Sequence, residues 1–225
     1  MDENYRKVTR NIVSFLLFAW VLTACLPAPL SQETTNVLFQ DDFSSQNAGW
    51  DQLEDTDGLT GYQNGAYRIQ VLQPFFDYWS NPNIALPDGN VQVDVDAVKI
   101  AGPEQNNFGI VCRYDSPALS DEFRFYYMII GSDGYYGIGK VENGVNQLLG
   151  TEVLQYSDVI MQGGDVVNQI RGVCNGTTLT LFVNGQQLAS VEDASITTGS
   201  VGLIAGTFET PGVDVLFDNF IVRRP

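Results

Sequence analysis

One stretch narrows the folds open to this chain more than any other: residues 108–141, FGIVCRYDSPALSDEFRFYYMIIGSDGYYGIGKV. Apolar and aromatic side chains alternate along it. That period of two lines up one face of an extended strand and cannot sustain a helical stripe. Phe108, Ile110, Cys112 and Tyr114 share a face of the first strand. Phe123, Phe125, Tyr127 and Ile129 share a face of the second, with Arg124, Tyr126, Met128 and Ile130 opposite. A third strand over 135–141 follows the turn Gly131-Ser132-Asp133-Gly134. The expectation is a meander with Phe123, Phe125 and Tyr127 in the core, which leaves Tyr126, Tyr135 and Tyr136 for any surface role.

The pattern extends in both directions. Strands are expected at 37–39, 66–71, 91–97, 166–174, 179–183, 199–205 and 212–222. Asn64-Gly65 and Asn184-Gly185 mark tight hairpin turns, and Asn175-Gly176-Thr177 reads as a further turn. Only 157–162 has any helical character. With 22 Gly, 13 Phe and 10 Tyr in 225 residues, the composition suits one all-β domain over 37–225 with many turns. Short strands at this spacing predict two packed antiparallel sheets.

The amino terminus reads as an address. Arg6, Lys7 and Arg10 precede the apolar run 12–21, IVSFLLFAWV, which is short for a membrane span but suited to a signal peptide. Leu22-Thr23-Ala24-Cys25 then resembles the bacterial lipobox. By that resemblance residues 1–24 are a lipoprotein signal peptide, Cys25 is lipidated, and several acyl chains anchor the protein stably to a membrane. The alternative is an ordinary secretory signal that happens to contain a cysteine. Residues 25–36, rich in proline and small polar residues, form a flexible tether. Either way the domain is expected outside the cytoplasm.

Charge and composition exclude several function classes. The formal net charge is −16, and an acidic chain is repelled by nucleic acid. The chain has no histidine, which removes Ser-His and Cys-His nucleophiles and His-ligated zinc. Two cysteines remain after Cys25. In an exported protein, Cys112 and Cys174 are expected to form a disulfide, two reduced core thiols being the alternative.

From Phe43 to Val222 the order of motifs resembles the concanavalin A-like lectin/glucanase superfamily of jelly-roll sandwiches, in particular bacterial domains of the laminin-G and 3-keto-disaccharide hydrolase types. The matching residues include Phe43 with Gly49-Trp50, Asn64-Gly65-Ala66-Tyr67, Phe108 to Tyr114, Ser132 to Tyr136, Gly199 to Leu203, and Phe217-Asp218-Asn219-Phe220. The resemblance implies an antiparallel β-sandwich of the jelly-roll type. Glucanases of that superfamily carry a Glu-x-Asp-x-Glu strand. Here the nearest match is Asp94-Val95-Asp96, with Val98 at the next position in phase, so no catalytic residue is assigned.

Sugars are held by aromatic faces together with hydrogen-bonding side chains. Trp79 with Phe75, Phe76 and Tyr78, in the proline-flanked segment QPFFDYWSNPN, are the first candidates for a ligand site, and Tyr126, Tyr135 and Tyr136 the second. Asp41, Asp42, Asp218 and Asn219 are candidates for a structural calcium if the terminal strands pair. The sequence leads to a lipid-anchored, non-catalytic module that binds a glycan or an envelope protein. A glycoside-processing enzyme and a purely structural envelope protein are the rival readings.

Overall fold

Three Asn-Gly pairs set the local architecture. Asn64-Gly65, Asn143-Gly144 and Asn184-Gly185 all place both residues at positive φ, between 50° and 82°. Such turns match the right-handed twist of the strands they join, so each one closes a tight hairpin. The computed structural model describes residues 36–86, 88–116 and 123–225. The expected signal peptide, Cys25 and the expected tether to residue 35 lie outside the described residues.

In chain order the first strands are Val37–Asp41 (β1), Leu53–Glu54 (β2), Gly58–Gln63 (β3), Ala66–Val71 (β4), Asp77–Ser80 (β5), Val91–Ala101 (β6), Asn106–Asp115 (β7) and Arg124–Ile130 (β8). They continue with Tyr135–Glu142 (β9), Val145–Leu148 (β10), Gln155–Tyr156 (β11), Val167–Asn175 (β12), Thr178–Val183 (β13), Gln186–Glu192 (β14), Ser200–Thr207 (β15) and Val213–Arg223 (β16). Residues 157–162 form turns rather than a helix. The first sheet runs β14-β13-β12-β6-β16-β4-β3-β2, with β1 beside the carboxyl half of β16. The second runs β10-β9-β8-β7-β15-β5, with β11 on β9. Every pairing is antiparallel.

The core lies between the sheets. Val91, Val93, Val95 and Ala97 of β6 point into it from the first sheet, and Phe108, Ile110 and Cys112 of β7 from the second. Cys112 is disulfide-bonded to Cys174 of β12, so the bridge links the two layers, as expected for an oxidising compartment.

That bridge corrects one sequence expectation. The ladder places Tyr126 directly opposite Cys112, and residues directly opposite share a face. Tyr126, Met128 and Ile130 therefore fill the core, while Phe125, Tyr127 and Ile129 lie on the outer face of the second sheet with Val111 and Ile204. The alternation was read correctly but its two faces were exchanged. Burial does not distinguish them, because the outer rings cover one another: Phe125 is 1% exposed and Tyr126 0%.

Next to Cys112, β7 carries a bulge, and Arg113 there adopts φ +56°. Its buried guanidinium donates to the carbonyls of Gly89 (3.0 Å), Ile196 (2.8 Å) and Gly176 (2.8 Å). One side chain thus fastens three loops at one end of the sandwich. The buried positive charge is solvated by carbonyl oxygens in place of water.

Candidate functional site

On the outer face of the second sheet a ring and a carboxylate pack directly over glycines. At Gly139 a Cβ would collide with the Tyr127 ring, and at Gly206 with the Asp77 carboxylate. The missing side chains let a ring and an acid lie flat on the sheet, so glycine here is required by close approach. Above this floor Trp79 of β5 meets Phe123 at 4.6 Å and Phe125 at 5.3 Å between ring centroids. Phe123 and Phe125 stack at 6.1 Å. The Trp79 and Phe125 rings and the side chains of Leu148 and Leu154 border a groove of about 330 Å³.

Four of its polar groups come from four separate elements. Asp77 of β5 accepts a hydrogen bond from Asn107 Nδ2 of β7 at 3.0 Å. Tyr127 of β8 donates to Asn146 Oδ1 of β10 at 2.6 Å. Burial pushes the Asp77 carboxyl up from its ordinary range, opposed by the Asn107 bond. Burial also raises the Tyr127 phenol, reinforced by the Asp77 charge. Both groups line the groove.

At the mouth stands Phe75. It follows Pro74, adopts φ +52°, and is 73% exposed, while its amide donates to the Phe208 carbonyl at 2.8 Å. Left-handed backbone costs a residue with a Cβ about 1–2 kcal/mol, and little burial of the ring offsets it here.

Of the residues singled out from sequence, Trp79 and Phe75 line this groove. Their segment is partly a strand, since β5 pairs with β15. Tyr78 turns away and donates to Asp55 at 2.6 Å, with the Phe76 ring edge-on to it at 5.3 Å. Tyr126 is in the core, where its hydroxyl donates to Asp193 at 2.6 Å. Tyr135 is exposed and packs edge-on against Tyr156 at 5.6 Å, and the Tyr136 hydroxyl donates to the Leu188 carbonyl. The groove thus gathers Trp79 and Phe75 and none of the other five. Sequence reasoning missed Phe125, Tyr127, Asp77, Asn107 and Asn146. For Phe125 and Tyr127 the sequence showed that they share a face, and the β7–β8 register with the inward Cys112 decided which face it is.

Two other clusters resemble chemistry more than they supply it. On the outer face of the first sheet, Asp94 is held by Arg171 at 2.5 Å and Arg223 at 2.6 Å, and Asp96 accepts from Asn219 at 2.9 Å. These are the solvent-side positions of an amphipathic strand, each acid already partnered. Between the sheets' edges, Lys140 bonds Asp193 (3.0 Å) and Ser195 (2.9 Å). Burial opposes the charge on Lys140, but Asp193 and Glu142 outweigh it and raise the amine above its ordinary value. Lys140 and Asp193 thus clasp β9 to the segment that follows β14.

The terminal strands pair, Asp41 opposite Phe220, which brings the acidic candidates near one another. Asp41 Oδ1 accepts from the Phe43 amide at 2.8 Å, while its buried Oδ2 has no hydrogen-bond partner. Burial raises the Asp41 carboxyl, opposed by the Phe43 amide and the Trp50 indole and helped by repulsion from Asp42 and Asp218. Asp42 is occupied by Ser44, and the Asn219 amide nitrogen by Asp96. Among the described residues no three Asp, Glu, His or Cys side chains are gathered as a metal-binding group.

Two antiparallel sheets with paired terminal strands make the fold a jelly-roll β-sandwich, as the sequence led us to expect. The fold is similar to that of a carbohydrate-binding module, CBM66 from Bacillus subtilis, at TM-score 0.60 and 12% identity over 78% of this chain and 95% of that one. It is also similar to a Bacillus subtilis protein of unknown function with a galectin-like fold, at TM-score 0.62 and 13% identity over 84% and 96%. A third likeness is to Bacillus licheniformis β-glucanase, at TM-score 0.56 and 10% identity over 83% and 98%. No protein-family model matches the chain, and no curated sequence matches it. At such identities the likeness concerns the fold alone.

Proposed function

We propose that this chain is a non-catalytic carbohydrate-binding module, held by lipidated Cys25 on the extracytoplasmic side of a bacterial membrane. The observation that carries the binding reading is the groove itself. It sets the Trp79 and Phe125 rings beside the Asp77, Asn107, Tyr127 and Asn146 polar groups on one sheet face. Sugar C–H faces pack on rings while hydroxyls take in-plane partners, and this groove offers both. The likeness to a carbohydrate-binding module supports the same reading. Asp77 is the one carboxylate among the described lining residues, whereas glycoside hydrolysis by the usual route uses two.

Isothermal titration with oligosaccharides tests it. Trp79→Ala is expected to weaken binding by at least about tenfold, the worth of one stacked ring. Undiminished binding by that variant, or steady release of reducing ends from the bound sugar, overturns the proposal. Anchoring rests on the basic start, the apolar run and Leu22-Thr23-Ala24-Cys25. Labelled palmitate incorporated by the wild type and not by Cys25→Ala is the expected result.

A structural calcium at Asp41 is a separate proposal, supported by the buried, unpartnered Oδ2. Asp218 and the Asn219 amide oxygen would join it. A melting temperature lowered by chelator in the wild type, but not in Asp41→Asn, is the result to expect.

A further inference from the structure

We propose that the groove selects uncharged or amine-bearing sugar units, rejects uronic and sialic acids, and grips its ligand at the mouth through Phe75. This rests on the reading of the groove as a glycan site. The first support is where the positive charges are. Once Arg6, Lys7 and Arg10 at the amino terminus are set aside, eight of the 11 Lys and Arg residues remain. Arg68 pairs with Asp214, Arg124 with Asp115, and Lys140 with Asp193. Arg171 and Arg223 share Asp94, and Arg224 lies 3.9 Å from Asp88. Lys99 donates to the Gly102 and Pro103 carbonyls, and Arg113 to its three loops. None of the eight is among the described residues lining the groove, and residues 117–122, PALSDE, contain no Lys or Arg.

An acidic sugar entering the groove would find no cation and would face Asp77. That carboxylate is fixed by Asn107 over Gly206 and presents acceptor atoms only. A hydroxyl or an ammonium matches it, and a second carboxylate is repelled in a site partly shielded from water. The net charge of −16 adds to the repulsion at longer range.

The second support is the backbone at Phe75. A turn following Pro74 with φ +52° favours glycine or asparagine, yet it carries an exposed ring, tied to the rim by the bond to Phe208. Local strain without compensating burial is a mark of functional placement. On this reading the ring is held out to cover one face of the bound sugar.

The experiment uses the full chain on immobilised neutral hexose oligomers, deacetylated glucosamine oligomers, oligogalacturonate and sialylated oligosaccharides. The wild type is expected to bind the neutral or the amine-bearing set at least about tenfold more tightly than either acidic set. Which of the two it prefers identifies the source of the donor facing Asp77. Phe75→Gly is expected to melt at the same or a higher temperature while binding about tenfold more weakly. Asp77→Asn should narrow the gap between neutral and acidic sugars. Acidic oligomers bound as well as neutral ones, full affinity in Phe75→Gly, or an unchanged gap in Asp77→Asn each overturn the inference and leave glycan binding standing. Binding to no sugar overturns both.

Discussion

Opening the Cys112–Cys174 bridge should cost this domain more than any other single covalent change. The two cysteines are 62 residues apart and join β7 of one sheet to β12 of the other. On the chain-entropy model a loop of that length restricts the unfolded chain by an amount equivalent to about 4 kcal/mol at 25 °C. For a folded region of about 190 residues, an unfolding entropy near 0.4 kcal/mol/K converts this to a fall of about 10 °C in Tm. Reduction in place removes the bridge with little change in packing. Cys112→Ala with Cys174→Ala also removes sulfur atoms from a core where both residues are under 3% exposed, which adds about 1 kcal/mol per site. Urea unfolding of the oxidised, reduced and doubly substituted proteins therefore separates the loop contribution from the packing contribution. The reduced protein should also show a larger m-value if the bridge keeps the unfolded chain compact. If the reduced protein lies within about 1 kcal/mol of the oxidised one, the bridge does not constrain the unfolded state as reasoned. Two free thiols in the unreduced protein would remove the premise.

Arg113→Met is expected to destabilise by about 3 kcal/mol or more, because the Gly89, Ile196 and Gly176 carbonyls lose their donor at once. Urea unfolding measures it, and a loss under about 1 kcal/mol would mean that water replaces the guanidinium freely. For Asp193, burial opposes ionisation, but bonds from Ser195, Tyr126 and Lys140 outweigh it and hold the carboxyl well below its ordinary 3.8. A depressed carboxyl stabilises the fold above the unfolded value and loses that effect as pH falls through the folded one. The gap between wild type and Asp193→Asn should accordingly be full at pH 6 and close toward pH 2, followed by thermal melts across pH. Asp77 has the opposite sign, since burial raises it. Its ionisation opposes folding at neutral pH and ceases to do so below the ordinary carboxylate range. Asp77→Asn should thus melt higher than wild type at pH 7 and equally at pH 3, even as the groove loses an acceptor.

Much of the fold is legible before any coordinate. Asn64-Gly65 and Asn184-Gly185 form the hairpin turns their chemistry requires, because few other pairs accept positive φ at both positions. The expected strand at 91–97 is the opening of β6, and that at 135–141 is nearly the whole of β9. The bridge between Cys112 and Cys174 followed from compartment and count. These features depend on neighbours along the chain or on covalent chemistry, and such information is local.

The groove was only half legible. Trp79 could be found because an aromatic run beside prolines stands out. Asp77, Asn107 and Asn146 could not, since each is an ordinary polar residue until β5, β7 and β10 are laid in one sheet. The stretch 108–141 shows the limit most plainly. Alternation by itself determined that Phe125 and Tyr127 share one face and Tyr126 and Met128 the other. It is symmetric to exchanging those faces, and both are apolar here, so hydrophobicity could not break the tie. Only the second layer did so, by drawing Cys112 and the opposite Tyr126 inward to meet β12 and leaving Phe125 and Tyr127 to build the groove outside.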